Sequence, residues 1–401
     1  MSKTPIKRRR LAAAIAAAAT AAVGCGTVLP AEATPARATI LHADSPDAVG
    51  NSYIVTLKPS ARFRADSPAG QAFAAQYGAT VRRTYSSALN GYAVRVSAAG
   101  ARGLAADPAV ASVEQDQKVR LDATQVNPPW GLDRIDQAQL PLSRTYTYPD
   151  SAGRSTTVYV IDTGVRITHQ QIAGRATHGY DAVDGDTVAS DGNGHGTHVA
   201  TTVAGTTYGV AKAARVVAVR VLDDDGSGTT SGVIAGIDWV TTNRTGPAVA
   251  NMSLGGGAST ALDTAVNNSI ASGITYAVAA GNSGANAANY SPARVPAAIT
   301  VGATTSSDYR ASYSNYGAVL DLFAPGSAIT AGWHTSDTAT ATLSGTSMAT
   351  PHTAGAAAMY LTSNPTAGPA AVSAALVNRA TPGVLRNIGT GSPNRLLRIV
   401  P

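Results

Sequence analysis

The chain has 401 residues, only 13% of them charged, with 40 glycines and a single cysteine. That composition excludes a highly charged disordered chain and a disulfide-stapled one, and the length exceeds the about 250–300 residues that one core accommodates. The net charge of +6 is uneven: residues 1–122 hold 15 basic and 8 acidic side chains, whereas 123–401 hold 15 and 16, with no glutamate. The larger part lacks the basic excess of a nucleic-acid-binding face, so no nucleic-acid partner is expected.

Residues 1–36 read as an export signal. Lys3, Lys7, Arg8, Arg9 and Arg10 precede an apolar run of 13 residues over 11–23. That run is short of the about 20 residues a membrane span requires, and Ala31-Glu32-Ala33 offers a small-residue cleavage site. The tandem arginines leave twin-arginine export open beside the general secretory route. Cys25 leaves a lipoprotein signal open, although Ala22 stands where a larger aliphatic residue is expected. A secreted, extracellular product is expected, with no membrane span and no cysteine left.

After a Pro/Ala/Asp-rich linker over 37–50, a strand is predicted at 52–57 and a helix at 69–77, with Phe73 and Tyr77 on one face. A hairpin follows at 86–96, a short helix at 101–106 and a strand at 110–115. This β-α-β-β-α-β order predicts a small α+β, ferredoxin-like domain over 51–122. In 123–401, apolar runs at 157–162, 215–223, 248–254, 273–280 and 298–303 alternate with helical stretches at 199–205, 231–242, 260–272 and 347–361. Strands apolar on both faces belong in a covered parallel sheet, so an α/β doubly wound, mostly parallel layout is expected. Its sites form beyond the carboxyl ends of the strands.

Three motifs fall where such a sheet places a site. Val158-Tyr-Val-Ile-Asp162-Thr-Gly164 is a buried strand ending in a carboxylate. Asn193-Gly-His195-Gly-Thr-His198 opens a helix, and Ser344-Gly-Thr-Ser347-Met-Ala-Thr-Pro-His352 is a glycine turn entering another. A serine becomes a nucleophile at neutral pH only if a histidine takes its proton and a buried carboxylate fixes that imidazole's tautomer. Ser347 at a helix start also gains from the dipole there. Asn282, in Ala279-Ala280-Gly281-Asn282, ends a strand and offers an amide to an oxyanion. A zinc pair at His195 and His198 lacks the helical HExxH pattern and a third ligand. His198 and His352 read as packed residues, and Asp223-Asp224-Asp225 as a solvated turn. Gly345-Thr-Ser347-Met-Ala349 also departs from the G-x-S-x-G of esterases.

The segments YVIDTGV, DGNGHGTHVA, NMSLGG, AAGN and GTSMATPH, in that order, resemble the subtilase family, most closely its proteinase K and aqualysin-like branch. The resemblance covers essentially all of 123–401. Residues 51–121, with Tyr53-IVTLK and Ala88-LNGYAVRV, resemble the family's inhibitor-type propeptide. It implies a serine endopeptidase with Asp162, His195 and Ser347 as triad and Asn282 as oxyanion donor, made as a self-processing zymogen. The intact set of residues argues against a catalytically dead binding protein.

The resemblance further implies that Ser253, Leu254, Gly255, Ala279, Ala280 and Gly281 line the S1 pocket. Gly226, Ser227 and Gly228 match an edge strand that pairs with substrate backbone. Uncharged pocket segments imply broad specificity with an apolar or aromatic P1 preference. Tyr290 closes that pocket or is core aromatic, both readings standing. Three calcium sites are implied: Asp321 with the carbonyls of Pro296 and Ala298; Asp133, Asp136, Gln137, Ser143 and Thr145; and Asp181 with Asp186, all oxygen donors of the kind Ca²⁺ takes. A mature chain starting near Ala123 places Leu121-Asp122 in the cleft. The expected partners are protein and peptide substrates and the chain's own propeptide, and a monomer is expected. Thr201 replaces a small residue behind His195, and overpacking there is expected to cost about 1–3 kcal/mol if the neighbours do not yield.

Overall fold

The computed structural model describes residues 39–43, 45, 48–117 and 122–399. The expected export signal, with Cys25, and residues 37, 38, 44, 46 and 47 of the linker lie outside the described residues. Contacts divide the chain into two compact units, Met1–Lys118 and Val119–Pro401.

The first unit contains β1 (Ile40–Leu41), β2 (Ala48–Leu57), α1 (Pro68–Gln76), β3 (Thr80–Tyr85), β4 (Gly91–Arg95), α2 (Ala98–Ala106) and β5 (Val110–Gln117). Both helices start on serine caps: Ser67 accepts from the Gly70 N–H and Ser97 from the Gly100 N–H, satisfying donors that a helix start leaves orphaned. The sheet order is β1-β5-β2-β4-β3, the ferredoxin-like arrangement with one extra edge strand. That strand, β1, was too short to carry a sequence signal. The hairpin forms earlier than expected, from β3 to β4. Val55, Phe73, Tyr92, Val94, Leu104 and Val113 fill the core, and Phe73 meets Tyr77 edge-on at 5.5 Å between ring centroids.

The second unit opens with β6 (Asp122–Val126), α3 (Trp130–Ile135), β7 (Thr145–Pro149), β8 (Thr157–Asp162) and β9 (Ala176–Asp181). Next come α4 (His195–Ala204), β10 (Arg215–Arg220), α5 (Thr230–Asn243), β11 (Ala248–Met252), β12 (Gly256–Gly257), α6 (Thr260–Ala271) and β13 (Thr275–Ala279). The chain continues through β14 (Tyr290–Ser291), β15 (Ile299–Thr304), β16 (Leu322–Pro325), β17 (Ile329–Gly332) and β18 (Thr340–Leu343). It closes with α7 (Thr346–Ser363), α8 (Pro369–Arg379), β19 (Thr381–Pro382) and β20 (Arg395–Leu396).

Nine strands form one sheet in the order β19-β20-β16-β15-β13-β11-β8-β10-β9, parallel except for the β19–β20 pair. Alternate residues of β8 explain why the run is apolar throughout. Val158 and Val160 pack with Val199, Val203 and Ala354 of α4 and α7, while Tyr159 and Ile161 pack with Ile237 and Val266 of α5 and α6. Each face is covered, so neither can be polar. The sheet delivers Asp162 at the carboxyl end of β8, between β10 and β11. The first turns of α4 and α7 carry His195 and Ser347.

Candidate active site

Asp162 is fully buried, and one of its oxygens, Oδ1, accepts from the Thr163 N–H at 2.8 Å and from His195 Nδ1 at 2.7 Å. Close backbone approach makes this possible. A Cβ on Gly196 would collide with the Gly164 carbonyl oxygen, so the turn after β8 and the first turn of α4 meet only through glycine. Because Nδ1 donates to Asp162, Nε2 is left with its lone pair, as a general base requires. Burial disfavours the imidazolium, but the Asp162 carboxylate and its hydrogen bond, with Asp191 further off, outweigh it and raise the His195 pKa above its usual value.

Ser347 and His195 line one cleft of about 670 Å³, together with Asn282. Ser347 Oγ donates to the Ser253 carbonyl at 3.0 Å, so engaging His195 requires a turn about χ1. The amide of Asn282 is oriented by its neighbour. Thr346 donates both its N–H (2.8 Å) and its hydroxyl (2.9 Å) to Asn282 Oδ1. Backbone N–H can only donate, which fixes the oxygen there and leaves Nδ2 as a free donor beside Ser347.

Ser253, Leu254 and Gly255 line the cleft, with Leu222, Val233 and Leu262 adding apolar surface and Asp225 as its one carboxylate. Gly226, Ser227 and Gly228 also line it, but as a turn held by Asp223 (Ser227 N–H to Asp223 Oδ1, 2.9 Å) and not as the expected strand. An edge with no partner has no ladder to form. Ala279 and Ala280 are buried behind the cleft, and of that segment only Asn282, which follows Gly281, reaches its wall. Tyr290 is half-buried and packs on the cluster containing Ala280 and Phe323, while its strand β14 pairs with β12, whose Gly256 and Gly257 line the cleft. Asp122 is paired in β6 opposite Pro149 and is outside the cleft.

Sequence reasoning missed Asp191. Its Oδ1 accepts from the Thr163 hydroxyl (2.9 Å) and the N–H groups of Asn193 (3.0 Å) and Gly194 (2.7 Å), and its Oδ2 from the N–H (2.8 Å) and hydroxyl (2.5 Å) of Thr197. Thr163 Oγ1 in turn accepts from the Gly196 N–H at 2.9 Å. One carboxylate thus ties the end of β8 to the start of α4, the two places that supply Asp162 and His195. Asp191→Asn keeps the shape but removes charge and acceptor capacity. It is expected to lower kcat/KM at least tenfold and to shift the acid limb of the pH–rate profile to lower pH, because a cation-stabilising charge is lost. An unmoved limb would limit Asp191 to a structural role.

His198 and His352 are buried, and their ring nitrogens donate to the carbonyls of Ile329 (3.0 Å) and Met348 (2.8 Å). Burial drives both pKa values down to about 4, so both are neutral core residues. Thr201 is not overpacked. Its hydroxyl donates to the Thr197 carbonyl (2.8 Å) and accepts from the Gly332 N–H (2.8 Å), and the methyl fits because position 332 has no Cβ, which would lie 2.9 Å from it.

The implied calcium sites differ in how well they fit. Asp133 accepts from the N–H groups of Ser143 and Arg144, both at 2.9 Å, and Asp136 Oδ1 is buried with no partner. Burial, with repulsion from the Asp133 carboxylate adding to it, pushes the Asp136 pKa up to about 6, a shift that a bound cation would reverse. The oxygens of Gln137, Ser143 and Thr145 gather on the same hydrogen-bond network. This set fits a hard cation. Asp321, its pKa raised by burial to about 6, accepts from the Thr300 N–H at 2.8 Å, and its second oxygen has no protein donor among the described residues. Pro296 and Ala298, whose carbonyls were expected to join it, lie in the turn just before β15. Asp181 does not fit. Its Oδ1 accepts from the Val183 and Asp184 N–H groups, and Arg220 donates to Oδ2 at 2.8 Å, so a guanidinium already supplies the positive charge; Asp186 is engaged by the Val188 N–H. No group of three His, Cys, Asp or Glu residues suited to a metal occurs among the described residues.

The subtilase family model matches residues 153–391, and the peptidase inhibitor I9 model matches 52–122. An extracellular serine proteinase of Thermus sp. (strain Rt41A) is 53% identical over 391 residues, covering 93% of this chain and 95% of the relative. Alkaline serine exoprotease A of Vibrio alginolyticus is 47% identical over 374 residues, covering 90% and 69%. A solved structure of a cold-adapted subtilisin-like serine proteinase superposes with a TM-score of 0.67 at 55% identity, covering 69% of this chain and 99% of that one. With the motifs on a subtilisin-like α/β sheet and an I9 domain before them, this chain belongs to the subtilase family and is a serine proteinase with an inhibitor propeptide.

Proposed function

We propose that the chain is exported and matures by its own cleavage into an extracellular endopeptidase, working through an acyl-enzyme on Ser347. The observation that carries this reading is the 2.7 Å His195–Asp162 bond in a cleft shared with Ser347 and Asn282. His195 Nε2 takes the Ser347 proton as Oγ attacks the scissile carbonyl. Asp162 stabilises the imidazolium, and Asn282 Nδ2 donates to the developing oxyanion. His195 then gives its proton to the leaving amine, and water repeats the sequence to free the acid. Extracellular action is supported by the Thermus relative, an extracellular serine proteinase.

An apolar or aromatic P1 preference follows from Leu222, Val233, Leu254 and Leu262 around the cleft. The segment 51–122 serves as inhibitor and folding aid, 123–401 as the catalytic domain, and the mature enzyme acts as a monomer. Calcium at the Asp133–Asp136 and Asp321 positions would neutralise buried carboxylates and join β7 to α3, and the turn before β15 to the start of β16.

Asn282→Asp tests the oxyanion role. It keeps an oxygen for Thr346 but replaces the Nδ2 donor by a negatively charged oxygen, so kcat should fall by at least about 10²–10³-fold with KM little changed. A kcat within tenfold of the parent would refute that role.

A further inference from the structure

At the opposite end of the sheet from Asp162, the amino ends of β8, β9 and β10 frame a second concavity of about 710 Å³. Thr157 and Arg215, register partners that begin β8 and β10, lie in it with Val216, Val217 and Thr177. Arg154, Arg175, Lys212 and Arg215 contribute to the lining, and no acidic residue does.

The charge there is uncompensated. Arg154 and Arg215 are exposed, and their side chains make no hydrogen bond or ion pair among the described residues. Arg175 donates to two carbonyls, of Ala214 (2.9 Å) and Gln171 (2.7 Å), and Lys212 to those of Gly209 (2.9 Å) and Thr207 (3.4 Å) while lying over the Tyr146 and Tyr148 rings at 5.3 and 5.5 Å; neither meets a carboxylate. Elsewhere in the same unit Arg134, Arg166, Arg220 and Arg294 each pair with an aspartate. Burial, with Arg175 adding repulsion, holds the Lys212 pKa down to about 7, so the positive field rests on the three arginines.

Three guanidiniums around one concavity focus a positive field, in a unit that otherwise carries more acid than base. The carbonyl bonds of Arg175 hold its guanidinium in place, while the free forks of Arg154 and Arg215 and the Thr177 and Thr245 hydroxyls leave donors in excess of what one carboxylate accepts. We propose that this cavity is an anion site for a doubly charged tetrahedral oxyanion of the phosphate and sulfate class, free or carried on a peptide. A nucleic acid needs an extended basic stripe, and these side chains gather around one open concavity.

The site is testable on the mature enzyme inactivated at Ser347 with phenylmethanesulfonyl fluoride to prevent autolysis. Sodium sulfate, titrated calorimetrically against chloride at matched ionic strength, should bind saturably. The Arg154→Ser/Arg215→Ser variant, which touches neither cleft nor core, should keep full proteolysis before inactivation and bind sulfate at least tenfold more weakly. A phosphoserine peptide binding more tightly than sulfate would identify the peptide-borne form, and equal affinity the free ion. No saturable heat with either probe, or equal affinity in parent and variant, would overturn the proposal.

Discussion

Ser347→Ala is expected to abolish proteolysis, with a loss in kcat of about 10⁶-fold, the size known for the nucleophile of subtilisin itself. The loss is total because the triad acts as a unit. Without Oγ there is no acyl-enzyme, and His195 has no proton to take. The same change should arrest maturation, leaving a precursor that retains residues 51–122, read by N-terminal sequencing of the secreted product. Misfolding is not the expected cause, since the one hydrogen bond lost is that of Ser347 Oγ to the Ser253 carbonyl at the cleft surface. A variant that still matured and cleaved casein would remove Ser347 from the mechanism. An arrested but folded precursor would support both the nucleophile and self-processing.

Chelation of calcium is expected to lower the thermal midpoint by roughly 5–15 °C. The only cysteine precedes the mature region, so no disulfide constrains the unfolded chain. A ligand held at 100–1,000 times its dissociation constant adds about 2.7–4.1 kcal/mol, and each kcal/mol shifts a domain of this size by about 2–4 °C. Two buried carboxylates give the prediction its residues. Asp136 and Asp321 both have pKa values raised to about 6 by burial, and removing a cation leaves each charge uncompensated at neutral pH. Asp136→Asn should therefore shrink the shift caused by chelator while leaving kcat near that of the parent. A midpoint unmoved by chelator in the parent would remove the metal from the molecule.

The residues proposed as catalytic were legible in the sequence because each sits in a motif whose spacing encodes local structure. A buried strand ends in Asp162, a glycine lets His195 approach it, and a glycine turn starts the helix of Ser347. The fold was legible for a related reason, since runs apolar on both faces admit one kind of sheet. What escaped were partnerships made by register and long-range folding. Arg220 lies opposite Asp181 only because β9 and β10 pair in that register, and nothing in the local sequence marks the guanidinium as occupant of a carboxylate pair that resembled a cation site. Asp191 stands at the head of the very segment that names His195, yet its role needs five donors brought to one carboxylate from two elements. Thr201 looked crowded because Gly332, more than a hundred residues away, was not visible as the neighbour that makes room.

Labelling of the mature enzyme with a fluorophosphonate tests the triad most directly. The reagent needs the serine, its base and the oxyanion donor, and needs no substrate specificity. Mass spectrometry should find one adduct, on Ser347, in full stoichiometry. The labelling rate should fall with decreasing pH along a limb above the ordinary imidazole value of 6.5, because Asp162 and Asp191 favour the protonated His195 and the base must be neutral to act. Labelling at another serine, or at a rate indifferent to pH through that range, would contradict the assignment of Ser347 and His195.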